Sequence, residues 1–293
     1  MKKLLFVMNP FAGTRKANKY LTEILTEFCN AGYEVSVYMT QGPGSGRQEV
    51  VRRAAEVSLV VCCGGDGTFN EVVAGLMESG ADIPVGYIPA GSTNDFAVSL
   101  GLATDVMKAT RAILNGQEEQ YDVCSFGGRY FTYVASFGAF TKTSYTTPQS
   151  IKNALGHTAY VLSGIQELSQ IHAVPVKITL EGETLEGDYL FGAICNSTSL
   201  GGVLTLDPKQ VDMRDGQFEI LLIRAPKDLG ELAECIQAVQ KQVYNCNMIT
   251  FRSAKEVTVE TDPQMPWTLD GEMEPGHDRV TVKNIHRAIR LIK

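Results

Sequence analysis

Residues Val60 to Leu76 read VVCCGGDGTFNEVVAGL: an unbroken apolar run, a knot of glycines around one aspartate, then a patterned stretch. A two-residue hairpin at Asp66-Gly67 needs apolar and polar residues alternating on both sides. Instead Val72, Val73, Leu76 and Met77 follow at the spacing of one helix face. Thr68 and Glu71 stand at the T-x-x-E spacing of a capping box, so the helix is expected to open there. The unit is therefore strand, glycine turn, helix N-terminus. Such a terminus presents unpaired backbone N–H groups and about half a positive charge, which suits a phosphate. An ordinary βα loop is the alternative reading of this pattern. The stretch Gly65-Asp66-Gly67-Thr68-Phe69-Asn70 ends in asparagine where a dinucleotide fingerprint has glycine, and it lacks the Gly-Lys pair of a Walker loop.

The same strand-to-helix passage repeats through the first third of the chain. A strand at Leu4–Met8 leads through Asn9, Pro10, Phe11, Ala12 and Gly13 to a helix carrying Leu21, Ile24, Leu25 and Phe28 on one face. A strand near Val35–Met39, a helix near Gln48–Ala55, and a strand at Val85–Ile88 running into Gly91-Ser92-Thr93-Asn94-Asp95 complete the series. Ser92 and Asp95 have the spacing of a second capping pair. Alternating β and α elements predict an α/β domain, a parallel sheet with helices on both faces. Ligands of such sheets bind outside the carboxyl ends of the strands. The loops Asn9–Gly13, Gly64–Asn70 and Gly91–Asp95 all fall there.

After Tyr121 period-two strands dominate: Tyr130–Ala135, Val176–Leu180, Tyr189–Ile194, Phe218–Ile223 and Lys255–Glu260. Helices are expected near Ile151–Leu168 and Asp228–Val243. This predicts a mostly antiparallel β-sandwich, hence two domains, 1–121 and 122–293, docked without a low-complexity linker. Phe131, Tyr133, Phe137, Phe140, Tyr145 and Tyr160 read as core, with an acyl-chain groove as the other reading. His157, His172, His277 and His286 have no ligand spacing.

The net charge of −7 argues against a nucleic-acid partner and gives no help to an electrostatic membrane anchor. Scattered cysteines without C-x-x-C spacing fit a reducing cytoplasm. The apolar run in MKKLLFVMNPFAG is shorter than a signal-peptide core, so a first strand is expected. No stretch approaches the roughly 20 apolar residues of a membrane span, so any membrane contact is expected to be peripheral.

Asn9-Pro10, Gly64 through Glu71, Pro89 through Ala97 and Asp270-Gly271-Glu272 together resemble the diacylglycerol kinase catalytic family, in its soluble bacterial lipid-kinase branch. The resemblance spans nearly the whole chain, with Ser92 where the family usually has threonine. It implies an α/β nucleotide domain and a β-sandwich domain, ATP in the cleft, and phosphorylation of a lipid hydroxyl, diacylglycerol or a related lipid, at a membrane surface. It also makes a homodimer an expectation.

The resemblance assigns the nucleotide to Asn9, Pro10, Phe11, Ala12, Gly13, Thr40, Gly64, Gly65, Asp66, Gly67, Thr68, Phe69, Asn70, Gly91, Ser92, Asn94 and Asp95. Asp66 would act through Mg2+ or its bound waters, because a carboxylate among phosphates needs a cation between them. Asp270 is the implied general base, with Glu272 holding it or a water; read alone, Asp270-Gly271 is a turn. Asp212, Asp215 and Gln217 are implied ligands of a structural Mg2+, Asp215 by its side chain and the other two by their carbonyls. Read alone they form an acidic turn without EF-hand spacing. Two further readings are an NAD kinase, which shares the Gly-Gly-Asp-Gly-Thr loop, and a non-catalytic nucleotide or lipid sensor.

Overall fold

The computed structural model describes residues 2–138, 173–201, 204–244 and 246–293. Contacts divide the chain into two units, one of Met1–Val123, Arg129–Thr132 and Ile285–Lys293, the other of Cys124–Gly128 and Tyr133–Asn284. The expected boundary after Tyr121 falls inside a strand, Glu118–Phe126, rather than in a loop.

In the first unit, β1 (Lys2–Met8), β2 (Tyr33–Met39), β3 (Leu59–Gly64) and β4 (Val85–Pro89) lie in the order β2-β1-β3-β4. These pairings are all parallel, and Leu291 of the final strand, Arg279–Ile292, adds a parallel partner to β4. Helices α1 (Leu21–Asn30), α2 (Ser45–Arg53), α3 (Asp66–Ser79), α4 (Asp95–Ser99) and α5 (Val106–Asn115) connect them. Leu4, Phe6, Met8, Leu59, Val61 and Cys63 pack on Ile24 and Phe28 of α1 and Ala109 and Ile113 of α5. The intervening Leu5, Val7, Val60 and Cys62 are equally buried, with α2 against β1 and α3 against β3. Burial on both faces explains why β1 and β3 read as continuous apolar runs instead of alternating.

The second unit is a mostly antiparallel β-sandwich. In chain order the remaining strands are β5 (Glu118–Phe126), β6 (Arg129–Phe131), β7 (Val134–Gly138), β8 (Val174–Leu180), β9 (Glu183–Cys195), β10 (Ser199–Leu200) and β11 (Leu204–Thr205). They continue with β12 (Phe218–Arg224), α6 (Leu229–Gln240), β13 (Ile249–Ala254), β14 (Glu256–Thr261), β15 (Trp267–Leu269), β16 (Glu272–Glu274) and β17, the final strand. The long β9 pairs along its first part with β8 and along its last part with both β7 and β12. Trp267 is fully buried, with the rings of Phe126 and Phe137 each 4.9 Å away. Phe131, Tyr133 and Phe137 are core, as their strand spacing indicated. The expected strand Tyr130–Ala135 is broken at Thr132-Tyr133 into β6 and β7. The helix expected at Ile151–Leu168, with Phe140, Tyr145, Tyr160, His157 and His172, lies outside the described residues.

Candidate active site

β2 and β3 flank β1 on opposite sides. The loops leaving the carboxyl ends of β1 and β3 therefore run apart, which is the topological switch point where α/β sheets hold ligands. Asn9, the first residue after β1, bridges it. Its backbone N–H donates to the Cys63 carbonyl at 2.9 Å, and its side-chain Nδ2 donates to Thr68 Oγ1 at 3.1 Å. Asn9 Oδ1 in turn accepts from the Phe11 N–H at 2.9 Å, shaping the turn through Pro10 and Ala12. The Ala12 N–H donates to the Asn9 carbonyl at 3.2 Å.

The glycines let three loops touch. Gly13 has φ +49°, and a Cβ there would stand 2.5 Å from the Ala90 carbonyl oxygen. A Cβ on Gly91 would lie 2.6 Å from the Gly65 Cα, backbone against backbone. Only residues without a side chain permit both approaches. Thr40, at the end of β2, belongs to the same rim and donates its N–H to Met8 at 2.8 Å. Helix α3 has Gly65 at its N-cap, which offers no side chain to its first-turn amides.

The capping box expected between Thr68 and Glu71 is not made. The helix starts at Asp66, so Thr68 already lies inside the first turn, and its hydroxyl accepts from Asn9 instead. Glu71 reaches out of α3 and accepts the N–H groups of Gly44 at 2.6 Å and Gly46 at 2.9 Å. It thereby caps α2, which begins at Ser45, ahead of the expected Gln48. The capping pair Ser92–Asp95 is also absent. Ser92 is exposed, and the N-cap of α4 is Asn94 at φ 54°. Asn94 brackets Gly91, accepting its N–H at 2.8 Å and donating to its carbonyl at 3.2 Å.

Asp66 supplies the cap that Ser92 does not. Its carboxylate accepts from Asp95 N at 3.0 Å, Phe96 N at 3.3 Å and Thr93 Oγ1 at 3.3 Å. Asp66 and Asp95 are both buried. Thr93 is a contact that sequence reasoning did not name, although it sits within the quoted glycine loop. Phe69 is fully buried and stacks on Tyr87 at 4.3 Å and beside Phe96 at 4.7 Å. Its ring is core, so only its backbone borders the loop. Asn70 turns its amide to the Tyr130 carbonyl at 3.1 Å.

In the second unit, Asp270 and Gly271 form the two-residue turn between β15 and β16, with φ +48° and +79°. The turn reading is correct, and it coexists with a buried acid. Asp270 is 4% exposed, and its Oδ1 accepts from Tyr133 N at 2.9 Å and Val134 N at 3.0 Å. The break between β6 and β7 is what frees those two amides. Aspartate tolerates the left-handed conformation better than most residues, but such backbone still costs about 1–3 kcal/mol. Glu272, the first residue of β16, is exposed. Tyr133 and Val134 hold the acid through main-chain groups, which carry no signal in the residue types.

Asp212, Asp215 and Gln217 sit on the turn before β12. Asp215 Oδ1 accepts from Gln217 N at 2.9 Å, and the Gln217 carbonyl accepts from Asn284 Nδ2 at 2.8 Å. Burial pushes the nearby Glu219 carboxyl up to about 8, with Asp215 and then Asp212 adding like-charge repulsion. Asn284 Oδ1 is buried without a hydrogen-bond partner among the described residues. Among the described residues no group of three or more His, Cys, Asp or Glu side chains could hold a metal. An ion here would rest largely on carbonyl oxygens.

Residues 3–126 match the diacylglycerol kinase catalytic domain, and residues 133–293 match the YegS C-terminal NAD kinase β-sandwich-like domain. A diacylglycerol kinase of Bacillus subtilis (strain 168) is 31% identical over 98% of this chain and 96% of its own length. One of Staphylococcus carnosus (strain TM300) is 32% identical over 92% of this chain and 89% of its own. A solved structure from Bacillus anthracis str. Sterne, 25% identical, superposes with a TM-score of 0.81 over 99% of this chain and 97% of that one. With the glycine loops closed on one another and both families matched along its length, this chain belongs to the diacylglycerol kinase catalytic family.

Proposed function

We propose that this protein is an ATP-dependent lipid kinase, transferring the γ-phosphoryl group of ATP to a lipid hydroxyl. The observation that carries the reading is the junction of the loops after β1, β3 and β4, tied by Asn9 to Thr68 and by the Gly65–Gly91 approach. Phosphoryl transfer asks a protein for positioning and charge stabilisation more than for covalent chemistry. Helix α2 is capped by Glu71 and α4 by Asp66, so the N-terminus of α3 is the one these acids leave to a phosphate. Backbone amides of residues 64–68 and the loop from Asn9 to Gly13 would hold the phosphates, with Thr40 beside them.

Asp270 would accept the proton of the acceptor hydroxyl as the phosphoryl group transfers to that oxygen. Two backbone N–H groups fix one carboxylate oxygen, which sets the orientation of the other. Mg2+ entering with the nucleotide would neutralise phosphate charge. The Asp66 carboxylate already takes three donors from residues 93–96, which fits a contact with that ion through water. The turn at Asp212, Asp215 and Gln217 offers hard oxygen donors, and the unpartnered Asn284 Oδ1 beside Gln217 adds another. That set fits a structural Mg2+ bracing the second unit.

No helix among the described residues is long and apolar enough to cross a membrane. The lipid is therefore proposed to be reached by peripheral contact from the cytoplasm, with a homodimer as the assembly. The test is incubation of purified protein with Mg2+ and γ-labelled ATP against diacylglycerol, other lipid alcohols and NAD. Label in one lipid product and none in NAD is the expected result. Label in NAD alone, or nucleotide binding with no labelled product at all, overturns the reading.

A further inference from the structure

We propose that the Thr268 hydroxyl, with Ser136 across from it, holds an ester carbonyl of the lipid acceptor and so selects an acylated glycerol over an alcohol that lacks the ester. The proposal rests on the lipid-kinase reading and names two acceptor-binding residues for that same site.

Among the described residues, Thr268 Oγ1 is the one buried hydroxyl without a hydrogen-bond partner. The residue is 5% exposed. A hydroxyl taken out of water and left unpaired destabilises the fold, whereas valine would fill the same space without that cost. The unpaired oxygen is explained once a bound molecule supplies its partner.

The strand pattern fixes where that hydroxyl points. In β15, Thr268 stands between Trp267 and Leu269, and successive side chains leave opposite faces of a strand. Trp267 packs on Phe126 of β5 and Phe137 of β7, so its face is the interior of the sandwich. Thr268 leaves the other face. Its register partner on β7 is Ser136, itself buried. Residues paired in this way hold their Cβ atoms about 5 Å apart, which lets two hydroxyls share one acceptor atom. A carbonyl oxygen has the two lone pairs needed to accept from both.

The reacting end lies on the same two strands. Asp270 follows Thr268 by two residues, and its Oδ1 accepts from the N–H of Val134, two residues before Ser136. Two residues of extended chain, about 7 Å, therefore separate the acid from the hydroxyl pair. That is comparable to the distance between a free glycerol hydroxyl and the carbonyl oxygen of an ester on the same glycerol. An acceptor whose hydroxyl meets Asp270 brings such a carbonyl within reach of Thr268 and Ser136.

The experiment compares 1,2-dioctanoylglycerol with 1,2-dioctylglycerol, a dialkyl ether that keeps the hydroxyl and lacks both carbonyls. Binding to nucleotide-free protein in neutral micelles is read by calorimetry, and phosphorylation by steady-state kinetics. Wild type should bind the diester about tenfold more tightly than the diether. Thr268→Val should bind the two alike, with the KM for the diester raised about tenfold and the KM for ATP unchanged. Its Tm should equal or exceed that of wild type, because an unpaired hydroxyl has been removed. Thr268→Ser should keep the preference, and Ser136→Ala should reduce it. Equal binding of the two lipids by wild type, or an undiminished preference in Thr268→Val, overturns the proposal. So does a lowered Tm in Thr268→Val with the preference intact, which would give the hydroxyl to the fold. Binding needs no turnover, so absence of a phosphorylated product counts against the kinase reading, whereas equal binding counts against this one.

Discussion

The Asp66 carboxylate accepts the Asp95 backbone N–H at 3.0 Å, so the first residue of α3 caps the helix that follows the next strand. One side chain thus sets the distance between the two glycine loops. Asp66→Ala leaves two buried amides and a hydroxyl without their acceptor, and should cost about 1–3 kcal/mol of stability. Thermal unfolding would read this as a lowered Tm, accompanied by loss of activity. Unchanged Tm would mean the loops keep their spacing without the aspartate.

Glu71 plays the corresponding part toward α2, through Gly44 and Gly46. Glu71→Ala should release the turn after Thr40. The expectation is a several-fold higher KM for ATP with kcat less affected, and about 1 kcal/mol lower stability from the lost cap. Steady-state kinetics against ATP concentration would check it. A fall in kcat at unchanged KM would place Glu71 in the chemical step.

The strand-to-helix units of the first domain were legible chiefly because β1, β3 and β4 are buried on both faces and read as apolar runs, whereas β2 holds no fully buried residue. What was not legible is which side chain caps which helix. Thr68 with Glu71 and Ser92 with Asp95 both have local capping spacing, yet neither pair caps its helix: α3 has only Gly65 at its N-cap, and α4 is capped by the distant Asp66. Sequence spacing reports only nearby partners, whereas the glycines at 44, 65 and 91 bring distant backbone within reach of Glu71 and Asp66. Asp270 was legible as a turn residue. Its burial was not, because Tyr133 and Val134 hold it through backbone groups that any residue type would supply.

The thiols should divide by burial. Cys63 is fully buried and its thiol is pushed up to about 12, while Cys62 and Cys195 are raised well above the ordinary thiol value, all by burial. Iodoacetamide on the native protein near neutral pH should label exposed Cys29 and spare these three. Mass mapping of the alkylated chain would show it; rapid labelling of Cys63 would mean β3 opens readily.

If the turn before β12 holds Mg2+, chelation should lower the Tm of wild type, and Mg2+ should restore it. Asp215→Asn, whose amide still offers one oxygen toward Gln217 N, should fold but lose that response. A melting temperature indifferent to Mg2+ and chelator in the wild-type protein would remove the structural ion from the account.

Replacement of one oxygen at residue 270 is the sharpest measurement. Asp270→Asn keeps an acceptor for Tyr133 N and Val134 N, so the turn should fold normally, but the amide cannot take a proton. With γ-labelled ATP, Mg2+ and the lipid acceptor, kcat should fall by about 10²–10⁴-fold while Tm stays near wild type. Full phosphotransfer by a folded Asp270→Asn protein would contradict the account.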